Sequence, residues 1–205
     1  MVGKTLANGF SKHGYEVMLG TSDTNKYEEL KNFTGGNVQI GTFEQTSKFG
    51  EIIVFAVKGT SVEKVLQLAG AENFKNKTVI DTTNPLADAA PIHGVLHFYT
   101  KSNSSLMEHL QQLLPNANFV KAFSCVGYSL MVNPSFNGFR PTMFICGNNT
   151  TAKDDVKTIL EQFGWDVEDM GEIEAARAIE PLSILYCIPG LRENSWQHAF
   201  KLLKK

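Results

Sequence analysis

The sequence predicts an α/β fold built on a doubly wound, mainly parallel sheet. Three observations lead there. Short apolar runs end in turn-forming residues, helical patterns fill the stretches between them, and polar residues collect just past the apolar runs. Strands alternating with helices imply βαβ crossovers, which make parallel sheets. Of 205 residues 42% are apolar, enough to bury one large core.

Residues 2–13 read as a helix, with Val2, Leu6 and Phe10 at i, i+4, i+8. Tyr15 to Leu19 reads as a strand, residues 25–34 as a helix carrying Leu30 and Phe33, and Val38 to Ile40 as a short strand. The continuous run Ile52 to Val57 fits a strand buried on both faces. Residues 60–69 place Val62, Val65, Leu66 and Ala69 on one helical face, and Thr78 to Thr82 forms the next strand. A long loop is expected over 84–102, then a helix over 103–114. Strands follow at Phe119 to Phe123 and Thr142 to Cys146, an amphipathic helix at 151–163, and a short strand from Asp166. Residues 173–203 read as helical, with breaks at Pro181 and at Pro189-Gly190.

Composition excludes several classes. A net charge of −2 gives no electrostatic reason for a nucleic-acid or membrane partner. No apolar run approaches the ~20 residues of a spanning helix, and the first residues lack the pattern of a secretory signal. The three cysteines, Cys125, Cys146 and Cys187, are widely spaced, so neither a disulfide framework nor a metal site is expected. His93 and His97 lack a third ligand nearby. A cytoplasmic protein fits all of this.

In parallel sheets, ligands bind outside the carboxyl ends of the strands. That rule selects residues 1–3, 20–26, 57–61, 83–86 and 122–128. Thr21, Ser22 and Lys26 supply two hydroxyls and an amine where an adenine ribose would lie, which suits a 2′-phosphate; Ser22 or Asp23 would equally serve as a helix cap. Val57 and Ser61 flank a strand end and a helix start, where a cap is again the ordinary role. Asn84 could bond a carboxamide or ribose, or simply sit in a turn before Pro85. Ala122 is small enough to let a flat ring approach the backbone. Ser124 and Cys125 have no evident base, so no catalytic side chain is named.

Met1 to Ala7 resembles the tail of a G-T-G-x-V-G-x-x-L-A loop and its helix, and TSDTNK, AVKGT, DTTNPL and VKAFSCVG follow in order. Over residues 1 to about 147 this pattern is similar to the NADPH-dependent deazaflavin (coenzyme F-420) reductases, relatives of the STEAP reductase domains; the C-terminal stretch from Ala175 resembles the helical end of bacterial members. The resemblance implies a Rossmann domain at 1–147 and a mostly helical segment at 148–205, packed on it or on a second copy in a homodimer. It implies NADP as cofactor, with NAD as the alternative, and hydride transfer to a flavin or deazaflavin ring. Met1, Val2 and Gly3 would then be the pyrophosphate loop, Thr21, Ser22 and Lys26 the 2′-phosphate site, and Val57, Ser61, Asn84 and Ala122 the nicotinamide side.

Two departures stand out. Ser22 replaces an arginine carried by many members, which shifts the phosphate onto Lys26. The family's first strand and first two loop glycines have no counterpart, so the Rossmann sheet is expected to lack its usual first strand, with the strands at Tyr15 to Leu19 and Ile52 to Val57 flanking a gap. Such a chain should be unstable or bind cofactor poorly without about ten residues upstream, a start that the sequence leads us to expect. Two other functions fit the scaffold: a dehydrogenase of a small carbonyl or imine, which needs a proton donor that the sequence does not reveal, and a dinucleotide-binding module without turnover.

Overall fold

A computed structural model describes residues 1–34 and 37–205. Helix α1 (Val2–Lys12) leads into β1 (Met18–Gly20), α2 (Tyr27–Phe33), β2 (Gln39–Gly41), α3 (Phe43–Phe49) and β3 (Ile52–Phe55). Helix α4 (Val62–Ala69), β4 (Thr78–Asp81), α5 (Leu106–Leu113) and β5 (Asn118–Lys121) continue the alternation. The chain closes with β6 (Thr142–Ile145), α6 (Thr150–Gln162), β7 (Asp166–Asp169), α7 (Ala176–Ile179) and α8 (Leu182–Glu193).

Pairing is parallel within each ladder: β1 with β2, β3 with β4 and β4 with β5, and β6 with β7. An antiparallel bridge, Lys121 to Cys146, joins β5 to β6. Alternate side chains feed two cores. Val79 and Phe119 face one cluster with α4, α5 and α7, while Ile80 and Val120 face another with α1 and α6. Helices therefore cover both faces of β4 and β5, and all four β4 residues are buried. Among the described residues no helix is long and apolar enough to cross a membrane.

The expected gap is present. β1 and β3 are not paired with each other, and each has a partner on its other side only. Between them lies a cavity of about 560 Å³, bordered by Met18 to Gly20, Ile52 to Phe55, α1 residues Leu6, Ala7 and Phe10, and α3. Among the described residues the buried Thr46 hydroxyl beside it has no hydrogen-bond partner.

Four expectations need correction. The strand expected at Tyr15 to Leu19 is ordered as a ladder only from Met18, because β2 is its one partner and pairs over three residues. Ile52 and Val54, expected to be buried, are half-buried on a strand that borders the cavity along its length. The sequence reading missed α3, although Thr42 and Gln45 form a reciprocal capping box at its start. Finally, Pro189 does not break the last helix; it lies inside α8. The proline removes the helical donor to the carbonyl of Leu185, four residues earlier, a residue that is 53% exposed. The helix ends instead at the left-handed Asn194, and the residues beyond are not helical. Trp196 folds back so tightly on Gly190 that a Cβ there would sit 2.3 Å from the indole. The tail then joins β6, Thr142 donating its amide to Phe200 and its hydroxyl oxygen accepting from Leu202.

Candidate functional site

Helix α1 starts against the strand ends. A Cβ built on Gly3 would stand 3.7 Å from both Leu19 Cδ1 and Ala56 Cβ, so the first turn sits over the carboxyl ends of β1 and β3. Among the described residues no side chain caps this helix; Met1 is 60% exposed, while Val2 and Gly3 are half-buried. Unsatisfied amide groups and the positive end of the dipole make this turn able to hold an anion.

Residues 21–26 leave β1 beside it. Thr21 donates its amide to Gly41 and accepts at Oγ1 from the Asp23 amide. Asp23 accepts from Asn25 and caps the turn at Thr24–Lys26, as the capping alternative required. Ser22 is exposed, and Lys26 Nζ lies 3.8 Å from Asp23 Oδ2. Sequence reasoning missed Lys4, whose Nζ donates to Glu29 at 2.6 Å and lies 4.9 Å above the Phe33 ring. Its place in the first turn of α1 was the available signal.

Val57 and Ser61 are half-buried at the end of β3 and the start of α4. Gly59 between them cannot be larger, since a Cβ would lie 2.2 Å from the Asn84 carbonyl oxygen. Asn84 donates from Nδ2 to the Ser124 carbonyl and accepts at Oδ1 from the Ser124 hydroxyl at 2.6 Å, tying the ends of β4 and β5 together. Phe123 holds a left-handed φ of 59°, a strained choice for a bulky buried residue, and turns the chain so that Ser124 meets Asn84. Ala122 itself is fully buried in the core beneath this edge.

A second layer under the edge is ionic. Lys121 Nζ is fully buried; it donates to Asp81 Oδ2 at 2.7 Å and to the Thr83 carbonyl at 2.8 Å, and it is ion-paired with Glu180 Oε1 at 2.8 Å. Asp81 also accepts from the Thr83 amide and hydroxyl, and Glu180 from the Leu106 and Met107 amides at the start of α5. Burial alone would pull the Lys121 pKa down, but the two carboxylates outweigh it and hold it above the usual lysine value. Burial pushes the Cys125 and Cys146 thiols up to about 12, so neither is a nucleophile near neutral pH.

Residues 1–3, 57–61 and 84 thus share one edge of the sheet, linked through Gly3 to Ala56 and through Gly59 to Asn84. Residues 21–26 leave the adjoining strand, whose Leu19 touches the same turn of α1. An open helix start, a glycine that lets two strand ends close up, and hydroxyls beside two lysines can together receive an extended polyanion.

Comparison with known proteins agrees with the resemblance read from the motifs. The family described as NADP oxidoreductase, coenzyme F420-dependent, matches residues 1–85. The metalloreductase STEAP3 of Rattus norvegicus is 26% identical over 185 residues, covering 89% of this chain and 35% of that protein. The chain therefore spans about a third of the length of this curated relative. A solved structure assigned as an F420-dependent NADP-reductase, from Arthrobacter sp. FB24, superposes with a TM-score of 0.91 at 29% identity, covering 99% of this chain and 95% of that one. An imine reductase from Aspergillus terreus, solved with NADPH4, matches in fold with a TM-score of 0.65 at 14% identity, over 90% of this chain and 56% of that one.

Proposed function

From the premise that this chain is related to the F420-dependent NADP oxidoreductases and to the STEAP metalloreductases, we propose that it is an oxidoreductase using NADPH. In this reading hydride passes between the cofactor and a flavin or deazaflavin ring. The observation that carries it is the uncapped start of α1 seated between the ends of β1 and β3, with Gly59 and Asn84 on the same edge.

The chain's own residues bind and orient. The first turn of α1, with Met1, Val2 and Gly3, holds the pyrophosphate by amide groups and dipole. Thr21, Ser22 and Lys26 hold the 2′-phosphate, Lys26 by turning from Asp23, with Lys4 close by. Val57 and Ser61 flank the nicotinamide half, and the Asn84–Ser124 pair fixes the strand ends around it. Ala122 supports that floor from below. When bound, NADPH supplies the hydride; transfer then depends on two rings held in register, which places the burden on positioning. Residues 1–147 carry the cofactor and 148–205 pack against them, while Leu185 and Leu191 on α8 are exposed and offered to a second copy.

The test is a fluorescence titration with NADPH and with NADH, followed by turnover assays with FMN, FAD and the deazaflavin. Tighter binding of NADPH, weakened tenfold or more by Lys26→Ala, supports the reading. Failure to bind either nucleotide overturns it.

A further inference from the structure

The acid that a carbonyl, imine or flavin acceptor requires was not visible in the sequence, and the fold brings one to the edge just described. We propose that the Tyr99 hydroxyl is the hydrogen-bond and proton donor to the acceptor, an inference that rests on the reading of this edge as the nicotinamide site. Tyr99 comes from the long loop after β4. Its backbone amide donates to the Pro85 carbonyl at 2.9 Å, and the neighbouring bridge between Leu86 and Phe98 pins the loop back over the strand ends. Its Oη lies 3.0 Å from the position a Cβ on Gly59 would take, next to the Asn84 carbonyl. Tyr99 as a residue is 43% exposed, so it lies at the surface of this edge.

The other candidates at this edge are committed or poor acids. Lys58 faces Asp88 at 3.9 Å, and the Thr60 hydroxyl also donates to Asp88. Ser124 donates to Asn84, Thr83 to Asp81, and Thr82 to the Phe55 carbonyl. Ser61 is an aliphatic alcohol, a far weaker acid than a phenol. The Tyr99 hydroxyl makes no hydrogen bond among the described residues, so its proton is free for an incoming group. Burial pushes its pKa up, Glu180, Asp81 and Glu63 add in the same direction, and Lys121 opposes. The phenol is therefore protonated at neutral pH, as a donor must be.

The step balances. The hydride leaves the dihydronicotinamide carbon and forms a C–H bond to a carbonyl or imine carbon or to C5 of a deazaflavin, or an N–H bond to N5 of a flavin. The Oη–H bond of Tyr99 breaks as the acceptor's oxygen or nitrogen takes the proton. The cofactor is oxidised, the acceptor is reduced, and the phenolate regains its proton from water.

The test needs a readout beyond turnover. Protein carrying tyrosine labelled with carbon-13 at the ζ position is titrated by NMR with saturating NADPH and with saturating NADP+, and Tyr99→Phe identifies the Tyr99 signal. The two cofactor forms differ in the charge of the nicotinamide ring, so a phenol beside that ring titrates at lower pH with NADP+ than with NADPH. In assays with a cyclic imine or FMN, Tyr99→Phe is expected to lower kcat about a hundredfold while NADPH affinity stays within twofold. Identical Tyr99 titration in both forms, or unchanged kcat in the variant, overturns the proposal and leaves the cofactor reading standing. If the unsubstituted chain binds no NADPH, both fall.

Discussion

Lys121 and Glu180 form a wholly buried ion pair at 2.8 Å that joins the end of β5 to the junction of α7 and α8. With Asp81 on the other side of the ammonium, one lysine fastens two strand ends and the C-terminal helices beneath the candidate site. Removing one partner strands buried charge, whereas replacing a whole ion group by apolar side chains is often tolerated.

Lys121→Met is therefore expected to destabilise the protein by about 3–5 kcal/mol. In a chain of this size that lowers Tm by on the order of 10 °C. A triple substitution, Lys121→Met with Asp81→Leu and Glu180→Leu, should recover part of the loss. Thermal melts of the two variants at neutral pH check it; a single variant as stable as the unsubstituted protein would sink the assignment.

The same lysine sets an alkaline limit. Its folded pKa is raised above 10.5, so its contribution is fully present below that value and is lost as pH rises through the folded value. Denaturant midpoints in the unsubstituted protein should hold up to pH 10.5 and fall above it. They should fall less steeply in Lys121→Met.

Glu108 and Arg177 give the opposite sign at acid pH. The Arg177 guanidinium, with help from the Ser105 hydroxyl, holds the Glu108 carboxyl below its ordinary value of 4.5. The stability it contributes is present above 4.5 and disappears as pH drops through the lower folded value. Arg177 is 42% exposed, so solvent screening keeps the contribution of the pair small. Arg177→Met should lower the urea midpoint slightly at pH 7 and leave it unchanged at pH 2.

Gly59 tests how closely the strand ends must approach. Gly59→Ala puts a methyl 2.2 Å from the Asn84 carbonyl and must push the two loops apart. A destabilisation of about 1–3 kcal/mol is expected, with weaker NADPH binding by calorimetry. Unchanged affinity would separate Gly59 from the site.

Much of the fold was legible because periodicity reports burial directly. The runs around Ile53, Val79 and Phe119 and the helix carrying Val156 and Ile159 were read correctly for that reason. Helix α3 escaped because its core contact comes from few apolar residues, although Thr42 and Gln45 announced its start. Pro189 misled because a proline's cost depends on which carbonyl it orphans, and the sequence does not say which side of a helix faces water. The strand-end rule selected Gly3, Gly59 and Asn84. It could not find Tyr99 or Glu180, which reach the edge from fifteen and ninety-six residues beyond Asn84 through tertiary packing alone.

The cavity between β1 and β3 divides the molecule mechanically. On one side, β4 is hydrogen-bonded along both flanks and sheathed by helices. On the other, β1 is held to the body by α1 and α3 rather than by a strand ladder. Amide protons of Met18 to Gly20 should thus exchange with deuterium through a local opening that spares Thr78 to Asp81, making the adenosine end of the edge the softer and the nicotinamide end the more rigid.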